Sequence, residues 1–271
     1  MSVEGGGGRP AHFVQSLERG LAVIRAFDAD RPQLTLSDVA RATGLTRAAA
    51  RRFLLTLADL GYVRTDGRLF TLSPRVLELG YAYLSSLSLP EVAEPHLERL
   101  VSEVRESSSV SVLDGEDVVY VARVPVSRIM TVSINVGTRF PAYATSMGRV
   151  LLSQLPDDEL EAYLEHVELV PLSPRTVTSR DALRSALAKV RSQGWALVDQ
   201  ELEEGLRSIA APIRDRAGRT VAAVNLSAHA SRMSIEQGRR RLVPPLLATA
   251  ARIEADLRVA QADRARRAAG A

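Results

Sequence analysis

The chain has 271 residues, 46% apolar and 25% charged, with a net charge of +3; this is length for two ordinary domains and a composition that excludes wholesale disorder. It has no cysteine, which removes disulfides, thiolate catalysis and cysteine-type zinc sites and suits a reducing cytoplasm. The four histidines (His12, His96, His166, His229) show no metal-ligand spacing, so neither metal nor cofactor is expected.

The Gly-rich start, Met1 to Pro10, lacks the apolar core of a signal peptide, so residues 1–12 read as a disordered tail. No apolar run approaches the roughly 18 residues of a membrane span, and a cytoplasmic protein is expected. Leu17, Leu21, Ile24 and Phe27 recur at helical spacing and predict an amphipathic first helix, broken at Arg31-Pro32-Gln33. Thr35 and Asp38 stand at capping-box spacing before a short helix to about Thr43 that buries Leu36, Val39 and Ala40. Gly44 supplies a tight turn, and Thr46 caps a third helix running to about Leu60. Asp66-Gly67 between Tyr62–Arg64 and Leu69–Leu72 predicts a hairpin. Pro74 opens a helix to about Leu87, with Val76, Gly80, Tyr83 and Leu87 on one face and Leu77 and Leu84 alongside; so wide an apolar face needs a partner and reads as a linker and dimerisation helix.

After Leu89-Pro90 the pattern turns to mixed α and β. A helix from Val92 to Arg105 precedes strands Val110–Leu113 and Val118–Val124, and Met130–Val136 alternates strictly, placing Met130, Val132, Ile134 and Val136 on one buried face. Helices are predicted at about Thr145–Leu155, Asp157–His166 and Arg180–Gln193, and strands at Ala196–Asp199, Ser208–Arg214 and Thr220–Ser227. A long helix from about Ile235 frays into the basic Arg264–Arg267 tail. Hairpin strands with helices inserted later predict an α+β chain whose second half is an antiparallel sheet layered with helices. The predicted division is a tail (1–12), a winged helix-turn-helix (13–73), a linker helix (74–89), an α+β domain (90–262) and a basic tail (263–271).

The charge is unevenly placed. Arg41, Arg47, Arg51, Arg52, Arg64 and Arg68 face only Asp59 and Asp66 in the same stretch, whereas from Leu87 onward 24 basic and 24 acidic residues cancel. Three helices and a hairpin carrying this excess form the winged arrangement that engages a phosphate backbone. Ala40 must be small where two helices cross, and Ala50, six residues beyond Gly44, sits where larger residues are usual; that contact is loose unless Phe53 or Leu54 compensates. With Ala50, Phe53, Leu54 and Leu57 inward, the third helix turns Thr46, Arg47, Ala48, Arg51, Arg52 and Leu55 outward. Its N-terminal Thr46, Arg47 and Arg51 suit base edges in the major groove of an operator, while Arg52, Arg64 and Arg68 suit phosphates. An arginine-studded surface helix without a nucleic-acid role is the alternative.

In the second half, Gly137 to Arg149 runs from an extended segment into a helix whose first residues are Thr145, Ser146 and Met147. A helix N-terminus offers free N–H groups and partial positive charge to a carboxylate. Asn225 and Ser227 share one face of a strand and point either to solvent or to a pocket. From about Phe13 to Asp256 these motifs together resemble the IclR-type transcriptional regulators. Ser107–Gly115, Val119–Val124, Arg128–Met130, Pro141–Leu152 and Gly205–Ser208 are similar to the branch governing aromatic-acid (protocatechuate, 4-hydroxybenzoate, β-ketoadipate) catabolism. The resemblance implies a GAF-like sensing domain for a small aromatic or dicarboxylic acid. It also implies a homodimer or dimer of dimers on DNA, and RNA polymerase as partner of an activator. Effector contacts implied by the family fall at Ser146, Met147, Ser208, Asn225 and Ser227, although other members often carry Ser where Asn225 stands. Arg128, Tyr143 and Arg207 are added because a diacid or aromatic acid wants an arginine and a ring. Two rivals remain: a repressor of a short-chain acid pathway, and a serine hydrolase, since Ala144–Gly148 is one residue from a nucleophile elbow around Ser146. No catalytic residue is assigned.

Overall fold

The computed structural model describes residues 10, 12–28, 30–79, 89–126 and 134–269, with side chains through residue 261. Contacts cluster into two units, Met1–Ser85 and Ser86–Ala271. The first unit comprises α1 (Gln15–Arg25), β1 (Gln33–Thr35), α2 (Leu36–Thr43), α3 (Arg47–Asp59), β2 (Val63–Thr65) and β3 (Leu69–Leu72).

The local signals act as their chemistry predicts. Thr35 Oγ1 accepts the Asp38 N–H at 3.2 Å while Asp38 Oδ2 accepts the Thr35 N–H at 3.1 Å, so two otherwise orphaned helix donors are satisfied. Gly44 ends α2 at φ 66, where a side chain is disfavoured, and Thr46 caps α3 through the Ala49 N–H. Ala50 and Leu54 are fully buried. Phe53 packs half-buried against the same core and reaches α1, where a Cβ at Gly20 would lie 3.9 Å from its ring.

Two features depart from expectation. The packed side of α1 is Val23, Ala26 and Phe27, whereas Leu17 and Leu21 are 63% and 48% exposed; helical spacing identifies a stripe but not where a neighbour stops covering it. Strand β1 was expected only as a helix break, yet Gln33 pairs opposite Thr71, making a three-stranded sheet of order β1-β3-β2. Three residues are too few to carry a period. A 3₁₀ turn at Pro74–Val76 follows the wing, with Ser73 accepting from the Arg75 N–H. The predicted linker helix from Gly80 through Tyr83, Leu84 and Leu87 lies outside the described residues, as do residues 1–9.

The second unit is a six-stranded antiparallel sheet of order β6-β5-β4-β9-β8-β7. Its strands are β4 (Ser107–Asp114), β5 (Asp117–Val124), β6 (Arg139–Pro141), β7 (Ala196–Asp199), β8 (Leu206–Arg214) and β9 (Thr220–His229). Helices α4 (Leu89–Val104) and α8 (Ile235–Ala269) pack together on one face, while α5 (Ser146–Ser153), backed by α6 (Asp157–His166) and α7 (Arg180–Gln193), covers the other. Every residue of β8 from Leu206 to Ile213 is buried, which is why it reads as a run of small and apolar residues instead of an alternation. Helix α8 continues to Ala269 where a frayed tail was expected. Of the strand expected at Met130–Val136, the described part is irregular: Val136 is exposed and the chain turns at Gly137, φ 90.

What seats α5 is one glycine. A Cβ at Gly148 would lie 2.1 Å from the Ala142 carbonyl oxygen and 2.4 Å from its Cα, contacts with backbone that cannot yield. We predict that Gly148→Ala destabilises the C-terminal unit by about 2–3 kcal/mol, roughly a 4–12 °C fall in its melting transition by calorimetry; an unchanged melting point would contradict this packing.

Candidate functional site

On the first unit, Thr46, Arg47, Ala48, Arg51, Arg52 and Leu55 are exposed on α3, and Arg64 and Arg68 on the wing, as the helical phase predicts. Asp66 closes the wing by accepting the N–H groups of Arg68 at 2.9 Å and Leu69 at 2.7 Å. Those bonds, Leu69 first, hold its carboxyl below the ordinary range. Arg41 is tied to Asp38 at 2.6 Å. Among the described residues Arg47, Arg51, Arg52, Arg64 and Arg68 form no ion pair with an acid. That contrasts with the second unit, where Arg139, Arg149, Arg175, Arg184, Arg191, Arg207, Arg214 and Arg219 all do. Unneutralised cations gathered on one helix face and a hairpin tip are what a polyanion requires. Arg19, which sequence reasoning did not single out, shares a groove between α1 and α3 with Arg52 and Phe53.

In the second unit a narrow cleft runs between the start of α5 and the sheet, lined by Ser146, Thr145, Ser208, Asn225 and Ser227 with apolar walls from Tyr120, Ile134, Val198, Leu202 and Leu206. Antiparallel register assembles the polar row: Ser208 stands opposite Ser227, and Ala210 opposite Asn225, so alternate residues of β8 and β9 face α5. Thr145 Oγ1 caps α5 through the Gly148 N–H at 3.0 Å, leaving the first turn open towards the cleft. Ser146 is 1% exposed and its hydroxyl has no hydrogen-bond partner among the described residues; a buried orphan of this kind costs about 1–3 kcal/mol. Asn225 Oδ1 accepts the Ser109 N–H at 3.0 Å and its Nδ2 donates to Ser227 Oγ at 3.1 Å. Burial pushes the Tyr120 phenol up to about 12, so the wall stays neutral at physiological pH. The open space is about 10 Å³, room for one water.

Four expected effector residues, Ser146, Ser208, Asn225 and Ser227, are thus brought together, and three are not. Tyr143 is 2% exposed and packs in the core with its hydroxyl donating to the Val170 carbonyl at 2.8 Å. Met147 is fully enclosed in the same core. Arg207 projects from the opposite side of β8 to Ser208, and its guanidinium is consumed by Asp199 at 2.7 Å and by the Ala230 and Met233 carbonyls. Arg128 lies outside the described residues. The apolar walls were not foreseen; Val198 and Leu206 had the signal of alternate strand positions level with Ser208. The histidines that a hydrolase would recruit are engaged elsewhere, His166 with the Ala162 carbonyl and His229 with Ser231.

Comparison with known proteins agrees with this architecture. Residues 16–67 match the IclR helix-turn-helix domain, and residues 81–255 match the Bacterial transcriptional regulator IclR C-terminal family. The Pca regulon regulatory protein of Pseudomonas putida is 45% identical over 237 residues, 87% of this chain and 81% of that protein. A transcriptional regulator from Rhodococcus sp. RHA1 superposes with a TM-score of 0.82 at 66% identity, covering 90% of this chain and 98% of that one. An IclR homolog from Microbacterium hydrocarbonoxydans, crystallised with 4-hydroxybenzoate, superposes with a TM-score of 0.79 at 30% identity, covering 89% and 98%. These relatives are regulators and not enzymes, which removes the hydrolase reading of Ser146. No helix among the described residues is long and apolar enough to cross a membrane. With a family match across both of its units, the chain belongs to the IclR family of transcriptional regulators.

Proposed function

We propose that this regulator activates genes of aromatic-acid catabolism in response to a small organic acid bound in the α5 cleft. It works as a homodimer or dimer of dimers on its operator and engages RNA polymerase as an activator does. The single observation that carries the effector half is the buried, unpartnered Ser146 hydroxyl at the open start of α5, facing Ser208, Asn225 and Ser227 across the cleft. A carboxylate there accepts from Ser146 and from the free N–H groups of the first helical turn. Support for the acid class comes from the relatives, one a Pca regulon regulator and one crystallised with 4-hydroxybenzoate. Arg128 stays with this reading on the strength of sequence alone.

A cleft holding one water must widen to admit a benzoate-sized ligand. Binding therefore favours a conformation different from the closed one, and a ligand shifts DNA affinity only through that differential preference, commonly ~1–3 kcal/mol. On DNA, Thr46, Arg47, Ala48 and Arg51 meet base edges, with Arg52, Arg64 and Arg68 on phosphates.

Fluorescence anisotropy on the DNA upstream of the protein's own gene tests both halves. Arg51→Ala should cost about 1–3 kcal/mol of operator binding and relax sequence preference, whereas Arg52→Ala should weaken all DNA alike and reduce the salt slope by about one unit. Equal binding by both variants and wild type would overturn the DNA assignment. Ser146→Ala should leave acid-free operator binding intact but require roughly tenfold more acid (4-hydroxybenzoate, protocatechuate or β-ketoadipate, whichever acts) for the same response. An unaltered response in that variant would remove Ser146 from the effector site.

A further inference from the structure

The two flanks of α3 are furnished differently. At about 100° per residue, Arg47 and Arg51 fall on one flank and Ala48 and Leu55 on the outer crest, all exposed. Ala49, Arg52 and Thr56 fall on the other flank, which faces α1. A groove of about 360 Å³ runs there between the two helices, with Ser16 and Arg19 on the α1 side and Arg52 and Phe53 on the α3 side. No acid lines it. The ion pairs of this unit join Arg31 to Asp28, Arg41 to Asp38 and Arg75 to Glu78, and leave Arg19 and Arg52 without an acid among the described residues. Thr56 turns its hydroxyl back to the Arg52 carbonyl at 2.9 Å, so the two guanidinia are the strong donors of the groove. The half-buried Phe53 ring keeps water from one wall, which strengthens any charge interaction made beside it.

We propose that this groove holds the DNA backbone on the α1 side of the recognition helix, with Arg19 and Arg52 on one phosphate or on two neighbouring phosphates of the same strand. A helix seated in the major groove has a sugar-phosphate backbone along each flank, and the α1 flank is the one that Arg52 meets. Arg19 stands across the groove from it on a separate helix, so it doubles the positive charge there without taking up a base-reading position. Guanidinium forks on two sides of one backbone segment fix its path as well as neutralise it. The operator contact thereby extends from α3 and the wing to α1. This inference rests on the DNA reading above and adds Arg19 and the first helix to it.

Anisotropy of the full chain on the DNA upstream of its own gene, repeated across salt concentrations, tests it. Arg19→Ala should weaken that DNA and an unrelated duplex by the same factor, and should lower the slope of log affinity against log salt by about 0.9, the loss of one phosphate. Arg19→Lys keeps the charge and should keep the wild-type slope, a rescue that a purely structural role would not produce. Arg25→Ala removes an equal charge from the last turn of the same helix, outside the groove, and should leave the slope unchanged. Phosphate ethylation interference then locates the contact: the phosphate that ceases to matter in Arg19→Ala should be the one lost in Arg52→Ala or its neighbour on the same strand. Thermal melts check that each variant folds, and Arg19→Gln replaces Arg19→Ala if the latter does not. A wild-type slope in folded Arg19→Ala, an equal fall in Arg25→Ala, a loss that Arg19→Lys shares, or phosphates on opposite strands overturns the two-arginine groove. An Arg51→Ala defect in the same experiment leaves the DNA reading standing, whereas salt-insensitive binding by the wild type overturns both.

Discussion

The C-terminal unit depends on how closely the first turn of α5 can approach the turn before it. Gly148 allows Ala142 to lie where a side chain would be, and the next residue converts that proximity into a lock. Arg149, 5% exposed, donates to the Tyr143 carbonyl at 3.0 Å and to Glu201 at 2.5 Å, while Glu201 also accepts the Val177 N–H. Burial pulls the Arg149 guanidinium below its usual range and Glu201 offsets it. Deleting either partner would strand the other charge in the interior at a cost of about 3–5 kcal/mol. Three separate segments, the 142–144 turn, the approach to α7 and the chain after β7, are thereby held around one helix start. The position of Ser146 follows from that clamp.

Against this background the unsatisfied groups carry information. The unit satisfies its buried arginines thoroughly: Arg149 and Arg207 each have a carboxylate and backbone carbonyls. Among the described residues the buried Ser146 hydroxyl is left without a partner, and it stands against the cleft. The same contrast separates the two units. Among the described residues the arginines of α3 and the wing pair with no acid, whereas many of those in the sensing unit do, so the basic excess is directed outward where a phosphate backbone can use it.

Much of this was legible in one dimension because it depends on neighbours in sequence. The Thr35–Asp38 box, the Gly44 turn, the Asp66-Gly67 hairpin and the helices Asp157–His166 and Arg180–Gln193 are set within a few residues, and each lies where spacing places it. Asn225 and Ser227 could be assigned to one face by period alone, but whether that face met solvent or a pocket awaited α5. What failed was what depends on partners far along the chain. Arg207 looked like an anion binder until Asp199, paired with it across β7 and β8, consumed its charge. Tyr143 and Met147 sit beside Ser146 in sequence yet turn into the core, because a 3₁₀ turn and one helical step rotate neighbours to different faces. Leu17 and Leu21 fitted the helical stripe of α1 but not its covered part.

The central claim is that an acid binds at the start of α5 and the facing strand β9. Amide hydrogen exchange on the full chain, with and without the acid that alters operator binding, tests it most directly. The account predicts slowed exchange in peptides covering residues 142–153 and 221–229, where the ligand orders the open helix turn and the strand carrying Asn225 and Ser227. Slowing confined to other segments, with these two unchanged at saturating acid, would contradict it.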